Sequence, residues 1–183
     1  IQGQYIAVHG CGGVGLSVIM IARALGAQVI AIDINDAALN LAKDLGAVHI
    51  INARNKSDIA ASIHEITKGG THVSIDALGS AETSLNSINS LRKRGKHIQV
   101  GLMTNDHKDL KVPMDKILAN ELEIIGSHGM QAHKYPEMLD MILDGRLSPQ
   151  KLVNKIISLE ESTILLPQMN KFDHNGITVI NSF

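Results

Sequence analysis

Apolar and polar residues alternate in blocks along this chain. Apolar runs of strand length recur at Tyr5–His9, Gln28–Asp33, Val48–Ile51, Thr71–Asp76, Lys96–Val100 and Leu122–Gly126. The segments between them read as helices. Val14–Leu25 is too long for a strand and is stopped by Gly26. Asn35 or Asp36 can cap a helix to Leu45, with Gly46 just past its end. Ser57 can cap one through Thr67, ended by Gly69-Gly70, and Ser80 one to about Arg92, with Gly95 beyond. A short helix near Met114–Ala119 precedes the sixth strand. Strands ~20–25 residues apart with helices between them are βαβ units. Such units build a parallel sheet covered on both faces, with right-handed crossovers. Six strands in two halves predict an α/β fold, a doubly wound parallel sheet in the order 3-2-1-4-5-6. The expected core includes Val8, Ile19, Val29, Ile32, Ile50, Val73, Ile75, Ile98 and Ile124.

The last part follows a different pattern. Pro136 suits the first turn of a helix to Leu143, which Gly145 ends. Lys155–Ser158 reads as a strand, Ser158-x-x-Glu161 as a capping box opening a helix to about Met169, and Gly176–Ile180 as a final strand. The expected division is a nucleotide-binding domain over 1–150 and a short C-terminal segment over 151–183.

Composition narrows the function. The 183 residues carry 17 basic and 18 acidic side chains, so no basic field exists to hold a nucleic acid. Aromatic residues are 2% of the chain, which leaves few platforms for stacking bases. The most apolar stretch, Leu16–Ile34, is broken by Arg23, Gln28 and Asp33, so no membrane span is expected. The single cysteine, Cys11, excludes an intramolecular disulfide and a cysteine-rich zinc cluster, and suits a reducing, cytoplasmic setting. The chain begins at Ile1, without an initiator methionine or a signal peptide, as a fragment or processed piece would.

Gly10-Cys11-Gly12-Gly13-Val14-Gly15 matches G-x-G-x-x-G between a predicted strand and a predicted helix. A pyrophosphate needs backbone N–H groups aimed at it, no Cβ in the way, and a helix N-terminus for its charge. Gly10 is expected to make the tight turn, Gly12 to let the backbone approach, and Gly15 to let helix and strand pack. Gly10, Gly12, Gly13 and Val14 are then the residues expected at the pyrophosphate. Asp33 ends the second strand, 18 residues after Gly15, where an acid accepts hydrogen bonds from the adenosine ribose. Its charge repels a 2′-phosphate, and no Arg or Lys lies in Ile34–Leu41 to reverse this, so NAD is preferred over NADP. Ala77 and Leu78 after the fourth strand, and Val100, Gly101 and Leu102 after the fifth, sit where ligands bind in open α/β sheets. They either line the cofactor or serve as ordinary strand-end turns.

Other candidates read as structural. Cys11 fills an unconstrained position of the glycine motif. His128, His133 and Glu137 can in principle meet, but a catalytic zinc usually takes three well-placed protein ligands, and no cysteine lies near them. The run Arg92-Lys93-Arg94-Lys96 is expected to complement the macrodipole at a helix end. Met130, Met138 and Met141 read as core or interface filler.

The ordered series Val8–Ser17, Ala24–Ala27, Ala31–Asp33, Ala42–Ala47, Asp76–Gly79, Leu91–Gly95, Val100-Gly101 and Leu122–Gly129 resembles the Rossmann cofactor domain of the medium-chain dehydrogenase/reductase superfamily. Within it, the chain is most similar to the zinc-containing alcohol dehydrogenases. The resemblance covers almost the whole chain. It makes Ile156–Phe183 a return segment toward a catalytic domain that would precede Ile1. It implies a parent enzyme passing hydride between an alcohol or aldehyde and NAD, with zinc bound by that other domain. No catalytic residue and no metal ligand is therefore assigned within this chain, which is expected to bind NAD but, alone, to hold no zinc and turn over no alcohol. The resemblance also implies a homodimer or higher oligomer joined along the sixth-strand edge. A zinc-free quinone oxidoreductase of the same superfamily, a nucleotide-sensing module without chemistry and, more remotely, a methyltransferase share the glycine motif and the acid.

Overall fold

The computed structural model describes residues 1–104, 107–171 and 175–183. Strands β1 (Tyr5–His9), β2 (Gln28–Asp33), β3 (His49–Asn52), β4 (Thr71–Asp76), β5 (Leu91–Gln99) and β6 (Glu123–Gly126) form one sheet in the order β3-β2-β1-β4-β5-β6. Every pairing in it is parallel. This is the doubly wound order expected from the spacing of the apolar runs.

The central strands are buried on both faces and so read as nearly continuous apolar runs. On one face, α1 (Gly13–Ala24) and α2 (Asp36–Asp44) cover Ile6, Val8, Val29 and Ala31 with Leu16, Ile19 and Leu39. On the other, α3 (Ile59–Thr67) covers Ala7, Ile30, Ile32 and Ile51 with Ile59 and Ile63. Each fully buried Ile or Leu contributes about 1.5–3 kcal/mol relative to exposure. Caps set the helix starts. The Asn35 side chain accepts from the N–H of Ala37 at 2.9 Å, and Asp58, rather than Ser57, accepts from Ala61 N–H at 2.8 Å.

Three expectations are corrected. Ile50 and Ile124 are 39% and 45% exposed, because β3 and β6 are the two edges of the sheet and lack a neighbour on one side. Helix α4 (Ala81–Asn89) stops short of Arg92, and β5 already begins at Leu91. The basic run therefore caps no helix. The β4–β5 register jumps from Thr71–Leu91 to Val73–Lys96, so Arg92–Gly95 bulge out of the ladder, with Arg94 at φ +62°. Arg94 and Lys96 pair with Glu121 and Glu123 at 3.5 and 3.0 Å. The end of α4 is served instead by Lys116 of α5 (Met114–Ala119), whose Nζ donates to Asn89 O at 3.0 Å.

After β6 come α6 (Tyr135–Leu143) and a separate two-stranded parallel sheet of β7 (Val153–Ser158) and β8 (Ile177–Ser182), joined through α7 (Leu159–Leu165). The capping box at Ser158 and Glu161 forms in both directions. Leu152, just before β7, is buried in the α1 core.

Candidate nucleotide-binding crevice

The chain leaves β1 toward α1 and β2 on one side, while β4 pairs with β1 on the other. The order of strands therefore reverses between β1 and β4, and in open α/β sheets ligands bind outside the carboxyl ends of the strands at such a point. The glycine turn forms the first wall of the candidate site. Gly10 has φ +94° and donates its N–H to Ile32 O at 2.8 Å, turning the chain where a side chain would be strained. Gly15 lies so close to β1 that a Cβ would run into Gly10 O. Gly12 is the opposite case: a Cβ there would meet nothing within 4 Å. Gly12 is also the N-cap of α1, with no side-chain cap and no acid in the first turn. The first N–H groups of a helix have no partner within it, so this end attracts an anion. A Cβ on Gly13 would lie 3.3 Å from Ile177 of β8, and Val14 is exposed.

Asp33 closes the turn from the side of β2. Its Oδ2 accepts from Cys11 N–H at 2.6 Å and its Oδ1 from Asn35 N–H at 2.9 Å. The carboxylate is half-buried, and each oxygen keeps a lone pair for a further donor. Cys11 is thereby more than a filler, through its backbone rather than its thiol. The thiol is buried, 3.8 Å from Ile32 O, and burial, reinforced by the Asp33 charge, pushes its pKa up, the reverse of a reactive cysteine.

The other wall comes from β4 and β5. A Cβ on Gly10 would touch Leu78 Cβ at 3.3 Å, so the two loops meet. Val100 and Gly101 N–H both donate to Asp76 O, at 3.0 and 2.8 Å, and Gly79, at φ +91°, leaves no room for a Cβ against Gly101 and Leu102. Ala77, Leu78, Val100, Gly101 and Leu102 therefore form one continuous surface, with Leu78 and Leu102 exposed on it.

Beneath this surface is a buried polar layer that the sequence reading missed. Asp76 is fully buried and accepts from the N–H of Leu78 and Gly79, from Ser84 Oγ at 2.6 Å and from Gln99 Nε2 at 2.9 Å. Burial alone would raise its pKa, but these hydrogen bonds outweigh it and hold the carboxyl below its usual range. His97 and Ser87 continue the layer. His9 is also buried, its Nε2 without a partner, and burial pulls its pKa down to about 4 against the opposing pull of Asp76. The one sequence-level signal was serine at Ser84 and Ser87, on a helix face where aliphatic residues belong.

Among the described residues, no group of three or more His, Cys, Asp or Glu is placed to hold a metal. His128 and His133 are exposed, and Glu137 pairs with Lys134 at 3.4 Å.

Comparison with known proteins decides the family. The family model described as zinc-binding dehydrogenase matches residues 13–144. The chain belongs to the zinc-binding dehydrogenase family. It is 31% identical over 178 residues to an alcohol dehydrogenase of Geobacillus stearothermophilus, covering 97% of its own length and 50% of that protein. It is 35% identical over 159 residues to D-arabitol-phosphate dehydrogenase of Enterococcus avium, covering 85% of itself and 44% of that protein. The crystal structure of benzyl alcohol dehydrogenase from Acinetobacter calcoaceticus superposes with a TM-score of 0.90 at 27% identity, over 100% of this chain and 50% of that one. The chain thus spans about half the length of the relatives it matches. No helix among the described residues is long and apolar enough to cross a membrane.

Proposed function

We infer that this chain is the NAD-binding part of a dehydrogenase acting on a small alcohol or aldehyde. One observation supports the reading above the others. The Asp33 carboxylate is tied to the N–H of Cys11, inside a glycine turn whose Gly12 faces open space. That arrangement sets a carboxylate beside open space at a helix N-terminus, which suits a ribose next to a pyrophosphate. The pyrophosphate is assigned to the backbone of Gly12, Gly13 and Val14, after the turn at Gly10. The adenosine ribose is assigned to Asp33, and the nicotinamide end to the surface of Ala77, Leu78, Val100, Gly101 and Leu102.

NAD supplies the hydride acceptor, and the residues here bind it, orient it and exclude the 2′-phosphate of NADP. In a zinc dehydrogenase the metal acts as a Lewis acid on the alcohol oxygen. The described residues of this chain do not supply a donor set for it. Their chemistry is that of holding the dinucleotide. Calorimetric titration with NAD and NADP tests the reading. NAD binding with NADP much weaker supports it; equal affinities remove Asp33 from the ribose.

A further inference from the structure

The buried layer under the nicotinamide-side surface has a direction, and the direction fixes a role for Gln99. Asp76 Oδ2 and Gly101 O, both acceptors, lie 2.9 and 2.8 Å from one end of the Gln99 amide. That end must be the NH2, which has two protons to give. The oxygen end then faces Ser84 Oγ and His97 Nε2, at 2.9 and 3.1 Å. Ser84 has one proton and a nearer acceptor in Asp76 Oδ2, 2.6 Å away. His97 is therefore the donor to Gln99 and carries its proton on Nε2. Burial lowers the His97 pKa and keeps the ring neutral, so Nδ1 accepts from Ser87 Oγ at 2.8 Å. Ser87 in turn accepts from Ser74 at 2.8 Å. Protons thus point one way along the layer, from Ser74 through Ser87, His97 and Gln99 to the Asp76 carboxylate.

We propose that Gln99 is a positioning residue for the nicotinamide end of the cofactor: its amide bolts the loop 100–102 to Asp76, and through Asp76 to the turn 77–79. The Gly101 peptides are held on both sides, the N–H by Asp76 O and the carbonyl by Gln99 Nε2, each at 2.8 Å. Asp76 Oδ1 holds the N–H of Leu78 and Gly79 at 2.8 and 3.0 Å. His97 fixes which way the amide faces. An aliphatic residue at 99 would fill the space but release the Gly101 carbonyl and one side of Asp76.

This inference rests on the NAD reading, and the test separates the two. NADH and ADP-ribose, which lacks the nicotinamide, are titrated into the wild-type chain, Gln99→Met and Gln99→Glu, at about pH 8 and about pH 5.5. Gln99→Met is expected to weaken NADH by about tenfold and leave ADP-ribose unchanged. Gln99→Glu is expected to weaken NADH at the higher pH and to recover at the lower one. There the introduced carboxyl, crowded against Asp76, holds a proton and donates again. His9 and His97 also face this layer, and burial lowers both; they are common to all three chains, so wild type and Gln99→Met, titrated at both pH values, set the baseline against which the Gln99→Glu recovery is read. Equal loss of both ligands, no loss of either, or a pH-independent Gln99→Glu overturns the proposal. If wild type binds neither ligand, the NAD reading fails. Amide hydrogen exchange at Gly101 and Gly79 in the ligand-free variants then decides: faster exchange upholds the bolt, and unchanged exchange removes it.

Discussion

Asp33 and Cys11 are joined across the mouth of the crevice by a 2.6 Å hydrogen bond from the Cys11 N–H to the Asp33 carboxylate. The acid proposed for the ribose also holds the glycine turn in place, so its removal should be felt twice. Asp33→Ala should weaken NAD by about ten- to a hundredfold, as losing charge-assisted hydrogen bonds of about 1.5–3 kcal/mol requires. It should narrow the gap between NAD and NADP and lower stability by about 1–3 kcal/mol, because the Cys11 N–H loses its acceptor. Calorimetry and urea titration read the two effects separately. Unchanged discrimination against NADP would remove Asp33 from the ribose site.

Gly12 and Gly15 make an opposed pair. A side chain at Gly12 enters open space, and its φ of −76° suits any residue. Gly12→Val should therefore keep the circular dichroism spectrum and melting temperature but lose dinucleotide binding. A side chain at Gly15 strikes Gly10 O. Gly15→Ala should cost about 3 kcal/mol or more in stability, as overpacking against fixed backbone does. If Gly12→Val bound NAD normally, the phosphate would not lie there.

What the sequence made legible was what depends on local spacing: the strand order, the tight turn at Gly10 and the close approach at Gly15. What it hid depends on neighbours distant in sequence. Arg92, Lys93 and Arg94 read as a helix end, yet β5 starts at Leu91, because Thr71 of β4 pairs with it and these three charges bulge out before the ladder resumes at Lys96. Lys116 took the helix-capping role from 27 residues away. Ser84, Ser87, His97 and Gln99 look like surface residues one at a time. They are tolerated inside because each partners another, and no spacing rule finds such a set.

Burial of His9 has a consequence in acid. Its pKa is about 4 in the fold against 6.5 for a free histidine, so the unfolded chain binds the proton more readily between those values. Stability should hold above about pH 6.5 and fall as the pH drops toward 4, by about 3 kcal/mol from this group. His97, lowered for the same reason, adds in the same direction. His9→Leu, which also removes an unpartnered buried nitrogen, should flatten this slope. Urea midpoints at pH 7 and pH 4.5 for both chains check it; parallel slopes would move the acid sensitivity elsewhere.

Strand β6 forms one edge of the six-stranded sheet. All four residues of β6 are exposed, Ile124 and Ile125 among them, and nearby Leu118 is 81% exposed. An unpaired apolar edge is a template for another strand. The opposite edge, β3, is bordered by Lys56, Glu65 and Lys68, whose charges resist such pairing. We therefore expect two copies to join β6 to β6 across a two-fold axis, each supplying the same patch. The strands then run antiparallel, and the apolar residues around Leu118 are covered in the same step. Light scattering at micromolar concentration should give twice the chain mass. Ile124 belongs to none of the three buried clusters, so Ile124→Lys places a charge on the edge and should yield a folded monomer with unchanged NAD affinity. A wild-type monomer at high concentration, or a dimer that survives Ile124→Lys, would show that β6 is not where the copies meet.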